Sequence, residues 1–412
     1  MQLNERIKIV PETGVTVKKR VADYLEENPT ETLIRLDQTL MNMSLPAIVI
    51  DAMKEAVDET ASPNGVLLSS PWSGYDNLKK VIAEHYAALG TRVQETDIFV
   101  TSGLESGHST VSNLFSLDNT VLLPDPQERH LLELQQMKGR NVAFYRATPE
   151  NQFTPLPPEG DADLVYLSSP DPVTGACLSS ETLQKWVDWA NEKDAVIVYD
   201  SSLSEYLAAN RELRSIYQIP GASTCAIELF SFEKGYGVRE LKIGYIVVPS
   251  SLVRNDTRIR DLICARQPAT ATPPSYIMQR AAELLFSREA KEATEKLLHR
   301  IKKVAAILSE GLSAAGIPHL GGADAPFLWV QCPEGMNCWQ FFDLLMEKAS
   351  VVVTPGSVFG YSGERFVRMT AFGLPEEAQL AVERIGAALK KKKAKREKEE
   401  KKIADELFQN ME

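Results

Sequence analysis

Residues 228–245 read ELFSFEKGYGVRELKIGY and indicate a sheet with a reactive group at its edge. The run ELFSF is apolar and aromatic and predicts a buried β-strand that ends close to Ser231. Lys234 follows three residues later, and a second cation, Lys242, comes eight residues after it. The next apolar run, IGYIVVP, predicts another strand. An amine is therefore expected beside the end of a buried strand.

Apolar runs on both sides of this stretch predict strands that are mostly buried on both faces. Helical periodicity separates several of them, as in NLKKVIAEHYAALG and SSETLQKWVDWANEKD, the second with Ser179 or Ser180 as N-cap. Helical crossovers make neighbouring strands parallel, so the pattern predicts an α/β fold. The seven predicted strands are DIFVTSG, TVLLPDP, VAFYRA, DLVYLSSP, AVIVYD, TCAIELFSF and IGYIVVP.

The pattern changes after about residue 273, where a second, smaller α+β domain is predicted. A long helical stretch, broken near Ser287, precedes the predicted strands FLWVQC and SVVVTPG. In the tail, basic residues alternate with glutamates, which favours a solvated helix over a patch for anionic ligands. The expected domains are an N-terminal arm that is part of the small domain (1–50), a large domain (51–285), a small C-terminal domain (286–390) and a charged helical tail (391–412).

Composition excludes several classes of function. The chain has 412 residues, 44% of them hydrophobic and 25% charged, and a net charge of -11, which argues against nucleic-acid binding. No apolar run approaches the roughly 18 residues that a membrane span needs. The N-terminus lacks the apolar core of a secretory signal, so a cytoplasmic location is expected. The five cysteines lack CxxC spacing, which predicts reduced thiols and no metal site.

Polar segments follow four of the predicted strands: TSGLESGHST, SSPDPVTGA, DSSLSEY and SFEK. Ligands of doubly wound sheets bind beyond the carboxyl ends of the strands, so these segments are the first candidates for a site. They place an acid, Asp200, and an amine, Lys234, at separate strand ends of one sheet. Taken singly, an aspartate there is usually a cap and a lysine usually a solvated charge.

Longer segments resemble a known family. SIYQIPGASTCAIELFSFEK, GGADAPFLWVQCP and VVVTPGSVFGYSGERFVRMTAFG are similar to fold-type-I aminotransferases of class I/II, with LL-diaminopimelate aminotransferases closest, and the similarity runs from about residue 20 to 390. The resemblance implies a large domain with a mostly parallel seven-stranded sheet sandwiched by helices, and a smaller α+β domain. It also implies pyridoxal 5'-phosphate (PLP) as cofactor of residues 51–285, an amino acid and a 2-oxo acid as substrates, and a homodimer.

The resemblance assigns roles to matching residues. Lys234 matches the lysine that forms the internal aldimine, and a partly desolvated amine near other cations is expected to have a lowered pKa. Asp200 matches the aspartate that keeps the pyridine nitrogen protonated, and Arg368 the arginine that binds the substrate α-carboxylate. Ser231 matches a ligand of the cofactor phosphate. The SGLES turn, with Gly103 and Leu104, matches the helix start that cradles that phosphate.

Other positions depart from the family pattern around the cofactor. Pro172 replaces an asparagine and Leu203 a tyrosine, the two donors to the cofactor's phenolic oxygen, and proline supplies no donor at all. Glu105 replaces a lysine near the phosphate, where like charges repel. Lys242 replaces an arginine and loses its bidentate fork, with Arg239 as an alternative cation.

Further departures from the family pattern affect the residues that stack on the cofactor ring and those that form the substrate pocket. Glu128 stands where a tyrosine stacks on the cofactor, and Ser69 where a tyrosine reaches in from the partner subunit, with Trp72 or Tyr75 as substitutes. Asp324 replaces an asparagine of the substrate pocket. The glycine motif that shapes that pocket reads LDQTLMNMSLP.

Two hypotheses follow. The first is a PLP-dependent aminotransferase-like enzyme that acts on an α-amino acid through a Lys234 aldimine, either by transamination or by a diverted path such as replacement, cyclisation or oxidation. The retained residues Lys234, Asp200, Ser231 and Arg368 favour it, since a buried unpaired charge is costly. The second is a degenerate aminotransferase with weak or no PLP binding that serves as a binding or regulatory dimer. The altered residues Glu105, Glu128, Pro172 and Leu203 favour that one.

Overall fold

The computed structural model describes residues 13–38, 45–61, 71–208, 213–237, 241–270 and 273–390. Ser69, Arg239, most of LDQTLMNMSLP and the charged tail lie outside the described residues. The helices are α1 Thr13–Glu27, α2 Ala47–Ala61, α3 Asp76–Ala88, α4 Leu104–Ser112, α5 Arg129–Lys138, α6 Ser180–Glu192, α7 Phe232–Tyr236, α8 Ile259–Thr270, α9 Tyr276–Leu284, α10 Arg288–Ala314, α11 Cys338–Ala349 and α12, residues 375–390.

The strands of the large sheet carry the predicted site residues. They are β2 Ile98–Thr101, β3 Val121–Asp125, β4 Val142–Arg146, β5 Leu164–Ser168, β6 Val196–Asp200, β7 Ala226–Ser231 and β8 Gly244–Val247. The other strands are β1 Ile34–Arg35, β9 Val253–Arg254, β10 Thr257–Arg258, β11 His319–Gly321, β12 Phe327–Gln331, β13 Val351–Val352, β14 Thr354–Pro355 and β15 Phe366–Thr370.

All seven predicted strands form one seven-stranded sheet in the order β2-β8-β7-β6-β5-β3-β4. β4, β3, β5, β6 and β7 run parallel, and β8 pairs antiparallel with both β2 and β7. The mostly parallel α/β fold predicted from the sequence is therefore confirmed. Because β5, β6 and β7 are adjacent and parallel, the polar residues that follow them lie together beyond the carboxyl ends of these strands.

The expectation of strands buried on both faces is wrong for β4. Its residues are half-buried or exposed, and the Phe144 side chain is 48% exposed. β4 is the last strand in the sheet order, so it has a neighbour on one side only. An edge strand is less covered than a central one, and apolar composition alone does not distinguish the two.

The run SVVVTPG forms two short strands instead of the single predicted one. Val351–Val352 (β13) pairs in parallel with Ile34–Arg35 (β1), whereas Thr354–Pro355 (β14) pairs antiparallel with β15. β14 is the edge strand of the four-stranded sheet β11-β12-β15-β14, a position that tolerates Pro355 because proline has no N–H to donate. The N-terminal segment is thereby joined to residues near the chain's other end.

Helix caps explain two of the predicted boundaries. The Ser179 side chain accepts a hydrogen bond from Thr182 N–H at 3.0 Å and starts α6. Ser287 accepts from Ala290 N–H at 3.2 Å and starts α10, which confirms the predicted break in the long helical stretch.

The domain limits at residues 50, 285 and 390 stay predictions. Within the described ranges, no helix is both long and apolar enough to cross a bilayer.

Candidate active site

Lys234 lies in the short helix α7, directly after β7. Ser231 is the N-cap of this helix, and its Oγ accepts from the backbone N–H of Lys234 at 3.4 Å. Gly237 ends the helix with φ 66°, a left-handed conformation that suits glycine. A Cβ on Gly235 would lie 2.6 Å from the Phe230 ring, so the turn packs tightly against its own strand. Tight packing of the backbone thus fixes the lysine just beyond the carboxyl end of β7.

The Lys234 amine forms an ion pair with a carboxylate. Its Nζ lies 2.7 Å from Glu128 Oε2, and the two side chains are only 18% and 23% exposed. Burial acts to lower the pKa of Lys234, but the charges of Glu128 and Asp200 outweigh burial and raise it. The expected lowering of the Lys234 pKa is therefore wrong, because acidic groups have the larger effect on the lysine among the residues that the structure describes.

Asp200, the last residue of β6, is held by the turn that follows it. Its Oδ1 accepts from the backbone N–H of Ser202 at 2.8 Å. Burial raises the pKa of Asp200, while the positive charge of Lys234 acts in the opposite direction. Asp200 and Lys234 thus lie close enough to affect each other's ionisation. The structure brings together the acid and the amine that the sequence placed on separate strand ends.

Two pockets meet at Glu128 and Pro172. The first encloses about 400 Å³ including its open mouth, and Lys234 and Arg368 line it. The second, about 360 Å³, contains Asp200. The first pocket is completed by Leu203, Tyr206, Glu233, Gly237, Phe327 and Phe372, and the second by His108, Pro124, Gln127, Leu131, Tyr166, Leu167, Ser168 and Asp171.

Arg368 is a buried cation on β15, with 3% of its surface exposed. Its guanidinium carbon lies 4.8 Å from the centre of the Phe327 ring and 4.5 Å from that of Phe359. Nη1 donates to the carbonyl oxygen of Pro172 at 2.9 Å, while Nε has no partner within the described part of the chain. Burial lowers the pKa of the guanidinium to about 10. The ring contacts orient a donor group that still has hydrogen-bonding capacity.

Pro172 and Leu203 both line the first pocket, and neither offers a side-chain donor there. Leu203 is the N-cap of a short 3₁₀ turn, residues 204–206, which ends in Tyr206. Residues three apart in such a turn lie one above the other, which brings Tyr206 to the same pocket. Tyr206 was missed from sequence, although its spacing from Leu203 could have indicated it.

The predicted phosphate-binding turn forms the start of α4. Gly103 is its N-cap with φ 88°, and Leu104 is buried. Glu105 is exposed, and its Oε2 lies 3.6 Å from the point where a Cβ on Gly103 would be, so its carboxylate is next to the helix N-terminus. A negative charge is favourable there. Lys242 is exposed and is not among the residues that line the two pockets.

The remaining described residues of the predicted site do not line these two pockets. Asp324 is buried, and its Oδ1 accepts from Ala208 N–H at 3.0 Å. Trp72 stacks on Phe99 with ring centres 6.1 Å apart, and Tyr75 contacts Tyr276 edge-on. The substrate role of Asp324 stays a prediction. So does the expectation that Trp72 or Tyr75 takes the place of the tyrosine whose position Ser69 occupies.

A buried carboxylate that the sequence did not indicate supports the turn after Asp200. Glu228 on β7 is 1% exposed and accepts from the hydroxyls of Tyr86 and Ser201, each at 2.8 Å. Its other oxygen accepts from Ser215 Oγ at 2.6 Å and Ile216 N–H at 3.1 Å. Burial raises the pKa of Glu228 to about 7, and these hydrogen bonds limit the rise. Since Ser201 follows Asp200, the network anchors the Asp200 turn.

Comparison with known proteins identifies the family. The family model for aminotransferase class I and II matches residues 37–385. The chain belongs to this aminotransferase family. LL-diaminopimelate aminotransferases from Lachnospira eligens and Bacteroides fragilis are 36% and 35% identical to it over 385 and 387 residues. The alignments cover 90% of this aminotransferase in both cases, and 95% and 94% of the relatives.

Solved structures agree with this family. L,L-diaminopimelate aminotransferase from Chlamydomonas reinhardtii superposes on the aminotransferase with a TM-score of 0.87 at 26% identity, covering 94% of this chain and 98% of that one. Aspartate aminotransferase from Thermus thermophilus gives 0.81 at 20% identity, over 94% and 100%, which shows the shared fold alone. Class I and II aminotransferases are PLP enzymes that transfer amino groups, so the expected enzyme class and cofactor are confirmed.

The residues present fit PLP at two of its ends. Lys234 and Asp200 line two neighbouring pockets that have Glu128 and Pro172 in common, where an amine can hold the cofactor carbonyl and a carboxylate can face the ring nitrogen. α4 begins at Leu104, where a helix start directs backbone N–H groups toward an anion, and Glu105 beside it is exposed to solvent. Between these ends, the Glu128 carboxylate lies against Lys234.

Proposed function

We propose that this aminotransferase acts on an α-amino acid and uses Lys234, Asp200 and Arg368 as its principal working residues. The observation that carries the proposal is that an amine, a carboxylate and a guanidinium line two neighbouring pockets that have Glu128 and Pro172 in common. Each group alone is common in proteins, but their convergence at a sheet edge matches the requirements of amino transfer.

Each residue has a distinct task. PLP, when bound, supplies a carbonyl that captures amines and a ring that withdraws electrons. With the cofactor bound, Asp200 would hold the proton on the ring nitrogen, and the Lys234 amine would anchor the cofactor and carry the α-proton of the substrate at Nζ. Arg368 binds the α-carboxylate through its free donors. The apolar rings of Phe327 and Phe372 line the first pocket, where they would limit the access of water to a bound substrate.

The substrate is proposed as a class. The named relatives act on LL-diaminopimelate, which makes that compound and glutamate, with 2-oxoglutarate as acceptor, the first to test. The altered segment LDQTLMNMSLP and Asp324 favour a different side chain on the α-amino acid. Product analysis would distinguish transamination from replacement, cyclisation or oxidation.

We also propose a cytoplasmic homodimer, for which light scattering should give twice the 45.7 kDa chain mass.

One observation favours the alternative of a degenerate aminotransferase that serves as a binding dimer. The Lys234 amine is engaged by Glu128, and Pro172 and Leu203 give the neighbouring wall no side-chain donor. A protein that has lost catalysis could retain such a self-paired lysine, because the pair satisfies both buried charges.

Cofactor binding decides between the two. The purified full-length protein, given PLP, should develop a visible absorption band that Lys234→Ala abolishes. Asp200→Asn should retain the band and lose amino transfer by roughly 10²–10⁴-fold, the usual contribution of a group that controls protonation. A protein that takes up no cofactor, or whose band persists in Lys234→Ala, would refute the proposal and leave the alternative.

A further inference from the structure

The side chain of Glu128 is directed into the site and not toward its own helix. Glu128 occupies the N-cap position of α5, yet its side chain makes no capping hydrogen bond. The carboxylate instead accepts from Lys234 Nζ at 2.7 Å, 106 residues away along the chain. The orientation of Glu128 is therefore determined by the lysine.

Several other charged or titratable groups surround this pair, and they differ in how directly they act. Asp200 and Glu105 act on Lys234 through their charge, and His130 and Arg368 act in the same way on Glu128. His108 lines the second pocket, and burial holds its pKa well below the usual range, so it stays uncharged. Glu233 lines the first pocket beside the lysine.

Among the described residues, Glu128 is the one carboxylate with a hydrogen bond to Lys234 Nζ. Asp200 uses an oxygen to accept from Ser202, and Glu105 is exposed, where solvent weakens its effect. Direct contact in a mostly buried position gives Glu128 the largest individual influence on the lysine.

We propose that Glu128 is the counter-ion of Lys234, which holds the free lysine as an ammonium and sets the pH at which it becomes a nucleophile. The proposal rests on the proposed role of Lys234 and makes Glu128 a positioning residue for that role. Only the neutral amine can attack a carbonyl, so the ion pair must open before the lysine reacts. At a fixed pH below the lysine pKa, each unit by which that pKa rises lowers the fraction of neutral amine tenfold.

Chemical reactivity of the lysine tests the proposal without cofactor turnover. The full-length protein, freed of any bound cofactor, is treated with acetic anhydride at a series of pH values, and acetylation of Lys234 is followed by peptide mass spectrometry. Glu128→Gln is expected to shift the pH profile downward and to speed acetylation at pH 8 by at least about tenfold, equivalent to one pKa unit. Glu128→Asp, which keeps the charge, should restore most of the wild-type profile.

Glu105→Gln is the matched control, because it removes a nearby carboxylate that does not touch Nζ. Its shift should be clearly smaller than that of Glu128→Gln. A Glu128→Gln profile that superimposes on wild type, or a Glu105→Gln shift of equal size, would overturn the proposal.

Two further measurements keep the inference separate from folding and from the proposed function. NMR titration of isotope-labelled lysines in the wild-type protein should show Lys234 titrating above the exposed lysines, and a lower titration would overturn the proposal even if Glu128→Gln fails to fold. If wild type forms no PLP band while the acetylation profile still shifts in Glu128→Gln, the counter-ion assignment stands and the proposed function falls.

Discussion

Glu128 and Glu228 are two carboxylates near the same edge of the large sheet, and their pKa values move in opposite directions. Burial acts to raise both, yet the pKa of Glu128 falls to about 2 and that of Glu228 rises to about 7. Glu128 faces the Lys234 ammonium, whereas Glu228 accepts from three hydroxyls and one backbone N–H. Four neutral donors do not offset burial of Glu228, whereas the positive charges around Glu128, with Lys234 the largest contributor, do offset it.

The largest expected effect comes from removing the Glu228 acceptor. Glu228→Leu removes the acceptor that buried donors of Tyr86, Ser201 and Ser215 share, and should lower the free energy of unfolding by about 3–5 kcal/mol. Urea denaturation measures this loss. Glu228→Gln keeps one acceptor oxygen and is the control, with a smaller loss expected. A loss below about 1 kcal/mol in Glu228→Leu would show that the network is not structural.

The dependence of stability on pH should have opposite signs for the two carboxylates. Glu228 has a folded-state pKa above its unfolded value of about 4.5, so its contribution is full below that pH and is lost as the pH rises toward 7, by about 3 kcal/mol. Glu128 has a depressed pKa, so its contribution is present above pH 4.5 and is lost as the pH falls toward 2.

Denaturation at a series of pH values would separate the two contributions. Glu228→Gln should flatten the slope between pH 4.5 and 7, and Glu128→Gln should flatten the slope below pH 4.5. If Glu228→Gln instead flattened the slope below pH 4.5 and Glu128→Gln the slope above it, the assignment of the pKa shifts would be contradicted.

Arg368 extends the comparison to a buried cation whose planar group is held by aromatic rings. Arg368→Lys keeps the charge but loses the fork, and should raise KM for the amino acid by roughly 10–100-fold, the equivalent of one or two charge-assisted hydrogen bonds. Steady-state kinetics measures KM. Arg365→Lys, at an exposed position in the same RFVR motif, is the matched control and should change KM little. Equal effects in the two variants would remove Arg368 from the substrate site.

An exposed pair should show the smallest effect. Arg288 and Glu292 lie one helical turn apart on α10, with N···O 3.0 Å and side chains 87% and 58% exposed. Glu292→Gln should cost about 0.3–0.5 kcal/mol, because water screens the pair. The thermal midpoint at low and high salt measures the effect, which should vanish at high salt. A loss of several kcal/mol would mean that exposure does not weaken ion pairs in this chain.

Sequence reasoning predicted what depends on local pattern and strand order. The seven strands of the large sheet follow from their apolar runs, and Asp200 and Lys234 meet because β6 and β7 are adjacent and parallel. The pairing of Lys234 with Glu128 was not predicted, since it depends on how a distant loop folds over the sheet edge. Glu228 was missed for a similar reason, because its partners come from three separate segments.

The short link between the chain's two ends has a mechanical consequence. Thr370, two residues from Arg368 on β15, donates its N–H to the carbonyl oxygen of Leu36 at 2.9 Å. Leu36 N–H in turn donates to Val352 O at 2.9 Å. Any motion that carries Arg368 must therefore also carry residues 34–36, so a substitution that weakens the pairing of this short segment would reach the proposed carboxylate-binding residue more than three hundred positions away.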